Sequence, residues 1–180
     1  MKTILVVQAR MNSSRLPGKV LMPIVDKIPL IGILLKRLKK IKKVDKIIVA
    51  TSKNTENDIL VKYLEKNKYN YFRGSENDTL SRFYEVSKKN KAKIIIRITA
   101  DCPLVDPNLI NKFLDIFKIK KPDYLANTFN LDNLKKKYNF LKSYPDGFDV
   151  EIFTFKLLNE INKIQKFKNR KEGAVIGFFL

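Results

Sequence analysis

A run of basic and hydroxyl-bearing residues, QARMNSSRLPGK at positions 8–19, directly follows the apolar run ILVV. It holds two arginines, a lysine, two serines and a glycine, and it contains no acidic residue. Arginine offers a planar fork of donors to phosphate oxygens, lysine adds a mobile charge, and hydroxyl and backbone N–H groups can fill the remaining acceptors. The run therefore predicts a phosphate site, with Gly18 allowing close approach of the backbone. Its candidate ligands are Arg10, Ser13, Ser14, Arg15 and Lys19.

The competing interpretation of this run is an ordinary polar loop between a strand and a helix. Neither of the common phosphate-binding patterns, GxxxxGK[ST] or GxGxxG, occurs in it. Its position favours the phosphate site, because ligands of open parallel sheets bind outside the carboxyl ends of the strands.

A second polar segment, TADCP at 99–103, also follows an apolar strand pattern. Asp101 in this segment could hold a magnesium ion against bound phosphates. Alternatively, Asp101 could cap the turn before Pro103. A basic phosphate loop facing a metal-binding aspartate would suit attack on a nucleoside triphosphate.

Strand and helix patterns alternate along the chain. The strands are nearly continuous runs of Val, Ile and Leu, which favours an α/β fold with a mostly parallel sheet covered by helices on both faces. For the helices, Thr55 with Asp58 resembles a capping box, and Asp106 with Pro107 forms an N-terminal signal. Residues 127–147 are the least regular part. Predicted strands lie at 3–8, 45–51, 69–74, 92–99, 122–128 and 149–155, and predicted helices at 29–41, 55–67, 76–90, 106–118 and 156–164.

Composition removes several classes of chemistry. The 180 residues contain no histidine and one cysteine, Cys102, which excludes an intrachain disulfide and a multi-cysteine zinc site. No apolar run is long enough for a membrane span, and no signal-peptide pattern is present, so we expect a cytoplasmic protein. The formal charge of +19 suits a polyanionic partner. The lysines are spread along the chain without interleaved aromatics, however, so we expect compositional bias rather than a nucleic-acid surface.

Several motifs, in order, resemble those of the CMP-sugar synthetases, the cytidylyltransferases that activate acylneuraminate and keto-deoxy-octulosonate. The form in this chain is most similar to the branch called spore coat polysaccharide biosynthesis protein F-like. The resemblance extends from residue 3 to about residue 170. The matching segments are VVQARMNSSRLPGKVL, PLIGILLKRL, VDKIIVATS, FRGSENDTLSRFYE, RITADCPLVDP and YPDGFDVEIFTF.

This resemblance implies one Rossmann-like α/β/α sandwich of the nucleotide-diphospho-sugar transferase type. It also implies transfer of CMP from CTP to an acidic sugar, with Mg²⁺ as cofactor and a homodimer as a possible assembly. Arg15 and Lys19 would neutralise the leaving pyrophosphate, and Asp101 would bind the metal. The motif positions Gly74, Ser75 and Arg82 would meet the base and ribose. For Asp146, Asp149 and Glu151, the resemblance leaves two roles open: sugar binding and loop structure.

The helical segment that contains Arg82 also has a purely structural interpretation. Ser75 to Asp78 form an ordinary helix N-terminus, and Arg82 could pair with Asp78 at i, i+4.

The final residues, NRKEGAVIGFFL, depart from the pattern of the resemblance, in which the chain continues through further strands to a second metal-binding aspartate. We therefore expect residues 1–180 to form a single domain that lacks the C-terminal part of the family fold. Three alternatives follow: a remnant that binds nucleotide without catalysis, a basic nucleic-acid-binding protein, or a sugar transferase with a related sheet.

Overall fold

The computed structural model describes residues 1–13, 15–127 and 147–165. Strands and helices alternate within these ranges, as the hydrophobic patterns predict. The strands are β1 (Thr3–Gln8), β2 (Pro23–Val25), β3 (Ile28–Pro29), β4 (Lys46–Ser52), β5 (Tyr71–Gly74), β6 (Ile94–Thr99), β7 (Tyr124–Ala126) and β8 (Glu151–Thr154). The helices are α1 (Leu30–Leu38), α2 (Asp58–Lys66), α3 (Thr79–Lys89), α4 (Pro107–Lys120) and α5 (Phe155–Gln165).

Six strands form one sheet in the order β5-β4-β1-β6-β8-β7. The four strands β5, β4, β1 and β6 are parallel to one another. β8 runs antiparallel to both β6 and β7. The mostly parallel α/β sheet expected from the sequence is confirmed. The antiparallel β8 brings its first residue, Glu151, beside Arg97 of β6.

The two faces of the sheet pack against different helices because side chains alternate along each strand. On one face Leu5, Val7 and Ile96 pack with residues of α1, α2 and α4. On the other face Ile4 and Phe153 pack with residues of α3 and α5. Burial of both faces explains why the central strands are almost wholly apolar in sequence.

The helix starts show which local signals were correct. Asp106 caps α4, since its carboxylate accepts a hydrogen bond from Asn108 N at 2.9 Å. The predicted capping box at Thr55 is wrong, because a 3-10 turn over Thr55–Asn57 comes first and α2 begins at Asp58 without a side-chain cap. The side chain of Asn57, the residue before α2, instead hydrogen-bonds to Met11, Thr51 and Ser52. No helix among the described residues is both long and apolar enough to cross a bilayer.

The basic run at positions 8–19 is called the basic loop. A 3-10 turn at Lys19–Leu21 and a short hairpin of β2 with β3 lie between it and α1. The sequence patterns did not predict them. Gly18 comes just before the 3-10 turn with φ of 76°, a left-handed conformation that favours glycine. Its N–H donates to Met11 O at 2.7 Å and so closes the loop that contains Arg15.

Replacement of Gly18 by alanine is expected to lower the free energy of unfolding by about 1 kcal/mol, because a Cβ disfavours positive φ. Space is not the cause, since the nearest atom to an added Cβ would be the methyl carbon of Met11 at 3.7 Å. Urea unfolding of Gly18→Ala and Gly18→Asn would check this, since asparagine tolerates the left-handed region better. Equal losses in the two variants would contradict the conformational explanation.

Candidate functional site

The carboxyl ends of the parallel strands bring the predicted site segments to one edge of the sheet. The basic loop follows β1, residues 74–78 follow β5, and Asp101 follows β6. β8 is antiparallel, so the segment 147–151 that precedes it reaches the same edge. Segments that lie far apart in sequence therefore share one site, as the open-sheet rule predicts.

The basic loop presents Arg15 to solvent. Within the described part of the chain, no hydrogen bond or ion pair of the Arg15 guanidinium is present, so its donors are available to a ligand. Ser13 is half-buried, and its N–H donates to Met11 O at 3.0 Å. Ser14 lies outside the described residues.

Lys19 and Asp101 form an ion pair across this edge. Lys19 Nζ lies 2.5 Å from Asp101 Oδ2, although the two residues are 82 positions apart in sequence. Burial alone would raise the pKa of the Asp101 carboxyl, but hydrogen bonds from Lys19 and Thr99 outweigh it and the pKa is lowered. Asp101 is therefore ionised at neutral pH, and it remains partly exposed to solvent.

A second ion pair joins the basic loop to the segment after β5. Arg10 Nη1 lies 3.4 Å from Glu76 Oε1. In this segment Ser75 is exposed, and its hydroxyl accepts a hydrogen bond from Asp78 N at 3.2 Å. Asp78 in turn accepts from Ser81 N at 2.8 Å, so the segment is also the N-terminus of α3, as the structural interpretation predicted.

Arg82 lies under this segment and is only 1% exposed. Its guanidinium donates to the carbonyl oxygens of Ser75 and Glu76 and to the hydroxyl of Thr79. A Cβ at Gly74 would lie 2.7 Å from Arg82 Cγ, so glycine is needed for this close packing. The structure thus brings Gly74, Ser75 and Arg82 together, with the charged group of Arg82 turned to the protein; its direct contact with a nucleotide stays a prediction.

The acidic segment before β8 divides between two environments. Glu151 is 7% exposed, and Arg97 donates to its Oε1. Arg97 also donates to Gln8 Oε1 at 3.1 Å. Burial and the adjacent Glu151 carboxylate raise the pKa of Tyr124, whose hydroxyl hydrogen-bonds to Glu151. Glu151 is therefore tied into a polar network between strands, and a sugar contact stays a prediction.

Asp149 is half-buried and, like Asp101, lies close enough to Cys102 to influence its thiol. Burial raises the pKa of the Cys102 thiol, and the negative charges of Asp149 and Asp101 add to that rise. The thiol hydrogen-bonds with the backbone of Asp149 and with the Thr99 hydroxyl. This thiol is therefore neutral at physiological pH and is a structural group. Asp146, the third predicted residue of the segment, lies outside the described residues.

Comparison with known proteins accounts for this arrangement. The profile of the cytidylyltransferase family matches residues 4–144. The chain is 33% identical over 176 residues to the spore coat polysaccharide biosynthesis protein SpsF of Bacillus subtilis, covering 96% of this chain and 67% of the relative. The chain belongs to the cytidylyltransferase family.

Solved structures agree with this cytidylyltransferase assignment. A cytidylyltransferase from Leptospira borgpetersenii is 34% identical and superposes with a TM-score of 0.81, covering 91% of this chain and 65% of that chain. A CMP:2-keto-3-deoxy-manno-octonic acid synthetase complexed with CTP shares the fold with a TM-score of 0.70 at 20% identity, covering 91% of this chain and 78% of that chain. The chain spans 65% and 67% of the lengths of the two curated relatives it matches.

Sequence reasoning missed two asparagines that anchor the site of this cytidylyltransferase-family chain. Asn57 is fully buried, and its Oδ1 accepts from Met11 N at 2.9 Å and from the Thr51 hydroxyl at 3.0 Å, while its Nδ2 donates to Ser52 Oγ at 2.8 Å. It fastens the start of the basic loop to the end of β4. The only sequence signal was that Asn57 is a polar residue just before α2. The capping-box pattern at Thr55 obscured this signal.

Asn127 has the equivalent role at the end of β7. Its Nδ2 donates to Phe148 O at 2.8 Å, and its Oδ1 accepts from Val150 N at 2.8 Å. One side chain therefore holds the segment that carries Asp149 against the sheet. A short hydrophobic pattern followed by asparagine gave no sign of this long-range contact.

Asn57→Ala is expected to lower the free energy of unfolding by about 2 kcal/mol, because it leaves buried donors without an acceptor. The release of Met11 N should also loosen the basic loop. Urea unfolding should be compared with Asn67→Ala, which removes an exposed asparagine at the end of the same helix. We expect the control to stay within about 0.5 kcal/mol of the unsubstituted chain. Similar losses in both variants would refute the anchoring role.

Glu151→Gln is expected to destabilise the fold by about 2–4 kcal/mol. The Arg97 guanidinium, which is mostly buried, would lose its counter-charge. The matched control is Asp115→Asn, which breaks the exposed Lys43–Asp115 pair and should cost less than about 1 kcal/mol. Thermal and urea unfolding would measure both. An effect of Glu151→Gln no larger than that of the control would indicate that Glu151 serves a ligand rather than the sheet.

Proposed function

We propose that this protein transfers CMP from CTP to an acidic sugar and releases pyrophosphate. In this reaction a sugar hydroxyl attacks the α-phosphorus, the bond from that phosphorus to the β-phosphate oxygen breaks, and the product is a CMP-sugar for surface polysaccharide or glycan synthesis. Such transfer depends on positioning and on neutralisation of phosphate charge rather than on covalent catalysis. A chain without histidine can provide both.

The basic loop would bind the triphosphate. The exposed Arg15 and the lysine of the Lys19–Asp101 pair would neutralise charge on the leaving pyrophosphate. The segment after β5, with Gly74 and Ser75 at its start, would meet the nucleoside. The acceptor would enter beside residues 146–151, at the same edge of the sheet. The remaining proposed phosphate ligands are Arg10, Ser13 and Ser14.

Asp101 fits the requirements of a magnesium ligand. Its carboxylate is ionised, partly exposed and placed at the edge where the triphosphate would lie. The described residues contain no cluster of three or more potential metal ligands. Mg²⁺ commonly uses one or two carboxylates and takes its other oxygens from substrate phosphates and water. When bound, the ion would neutralise phosphate charge, and Lys19 would be released from Asp101 to the phosphates.

The observation that carries this proposal is the 2.5 Å contact of Lys19 with Asp101. This contact places the predicted phosphate ligand, Lys19, directly beside the predicted metal ligand, Asp101. Membership of the cytidylyltransferase family supports CTP as the nucleotide. The fold shared with a CMP:2-keto-3-deoxy-manno-octonic acid synthetase supports a sugar acid as acceptor, and use of CTP is consistent with a cytoplasmic protein.

The direct test is pyrophosphate release from CTP and Mg²⁺ with a panel of acidic sugars. Lys19→Ala and Asp101→Asn should each lower the rate by about 100-fold or more, because each removes charge stabilisation made in the transition state. The matched controls are Lys43→Ala and Asp115→Asn, since that pair has the same 2.5 Å separation and Lys43 precedes β4, at the opposite edge of the sheet. The controls should retain the full rate.

Other results would support the alternatives. CTP binding without pyrophosphate release for any sugar would indicate a nucleotide-binding protein without transfer activity. Binding to RNA that is tight and falls steeply with salt, without CTP binding, would favour a nucleic-acid partner instead. Release from the Lys19→Ala and Asp101→Asn variants at unchanged rates would refute the roles assigned to those two residues.

A further inference from the structure

Three charged side chains link the segment after β5 to the basic loop. Arg82 holds the backbone of Ser75 and Glu76 from below, and the Glu76 carboxylate contacts the Arg10 guanidinium. We propose that Glu76, seated by Arg82, is a positioning residue that fixes Arg10 for binding the phosphates of the nucleotide. This inference rests on the proposed binding of a triphosphate at the basic loop.

The first step of the argument is the cost of burying Arg82. A guanidinium that is 1% exposed loses its hydration, and this burial lowers the pKa of Arg82 even though the nearby Glu76 charge opposes the change. Arginine stays protonated in proteins, so the charge must be met by acceptors. Those acceptors are two consecutive backbone carbonyls of the segment and the Thr79 hydroxyl. Arg82 therefore fixes the conformation of residues 75 and 76.

The second step concerns Glu76, whose side chain is also largely enclosed. Its Oε1 contacts Arg10, and its Oε2 is buried with no hydrogen-bond partner among the described residues. A buried carboxylate of this kind depends on surrounding positive charge. Arg10 and Arg82 supply that charge, since both Glu76 and Arg10 influence the pKa of Arg82. The carboxylate is thus held in place with little freedom to move.

The third step is the effect on Arg10. Arg10 lies two residues after β1, at the start of the basic loop, and its side chain is 28% exposed. An arginine already held by a carboxylate loses less side-chain entropy when it binds an anion, because its orientation is set in advance. Glu76 thereby orders Arg10, and residues 74–78 are coupled to the phosphate site through it.

An opposite role for Glu76 is also physically reasonable, and it makes the opposite prediction. A carboxylate next to an arginine can compete with phosphate, so its removal would tighten anion binding. Simple charge repulsion predicts the same tightening. Weaker anion binding after removal of a negative charge would therefore be a distinctive result, and it is the result that the positioning role requires.

The experiment measures binding of tripolyphosphate and of cytidine separately by calorimetry, with the full chain. Glu76→Gln should weaken tripolyphosphate binding by about three- to tenfold, as expected for partial loss of one charge-assisted hydrogen bond, and should leave cytidine binding unchanged. In an Arg10→Ala background the same substitution should no longer weaken tripolyphosphate binding, because the favourable effect of Glu76 on the phosphates requires Arg10. The charge-matched control is Glu85→Gln, an exposed position on α3.

Arg82→Lys supplies a second variant that keeps the charge. A single ammonium group lacks the fork that spans both carbonyls and Thr79, so this variant should weaken tripolyphosphate binding in the same direction as Glu76→Gln. The two substitutions together should weaken binding less than the product of their separate effects. Circular dichroism and thermal unfolding would show that the variants remain folded.

Four results would overturn the inference. Glu76→Gln could tighten tripolyphosphate binding, act additively with Arg10→Ala, or weaken cytidine binding instead; the last would make Glu76 a direct nucleoside ligand. The unsubstituted chain could also fail to bind tripolyphosphate, which would remove the phosphate site and the proposed function with it. Failure of the proposed function alone is distinguishable, because pyrophosphate release would be absent while the Glu76 and Arg10 effects on tripolyphosphate remained.

Discussion

The parallel pairing of β4, β1 and β6 is the constraint on which the rest of this protein depends. Parallel strands end at the same edge of a sheet, so loops that follow them must meet there whatever their separation in sequence. The pairing is continuous from Ile4 to Gln8 against β4 and from Thr3 to Gln8 against β6. It is held by side chains buried on both faces, which makes a shift in register costly. The position of every group at the site follows from this frame.

Three ion pairs at or beside that edge join segments that are far apart in the described part of the chain: Lys19 with Asp101, Arg10 with Glu76, and Arg97 with Glu151. They differ in exposure, and this difference separates their roles. The Lys19–Asp101 pair is the most accessible, as the proposed exchange of its partners for phosphate and metal requires. The Arg97–Glu151 pair is enclosed and joins strands, so it suits structure more than exchange. The exposure of the Arg10–Glu76 pair lies between these extremes. This exposure suits the proposed role of Arg10, which is positioned by Glu76 and would still contact phosphate.

Polar side chains that are buried or half-buried provide the rigidity that these pairs need. Asn57 ties the basic loop to β4, Asn127 ties the segment before β8 to β7, and Arg82 ties residues 75 and 76 to α3. Each uses one side chain to satisfy two or more backbone or hydroxyl groups. Loops at ligand sites usually need such anchors, since binding geometry must be set to within a fraction of an ångström. The long sequence separations of the Asn57–Met11 and Asn127–Val150 contacts explain why sequence patterns did not predict them.

The sequence by itself determined the order and type of the main elements, and it predicted the chemistry of two strand ends. Strand runs such as ILVV and IIIRI are local patterns whose burial requires helices on both sides, and the basic composition of residues 8–19 predicts an anion site. Only the tertiary structure decided that Lys19 meets Asp101, that Arg82 turns inward and that Glu151 is paired within the sheet. The physical reason is that the Lys19–Asp101 pair depends on the parallel pairing of β1 with β6, and the Arg97–Glu151 pair on the antiparallel β8. Strand order is a property of how elements pack together, which no local spacing of residues specifies.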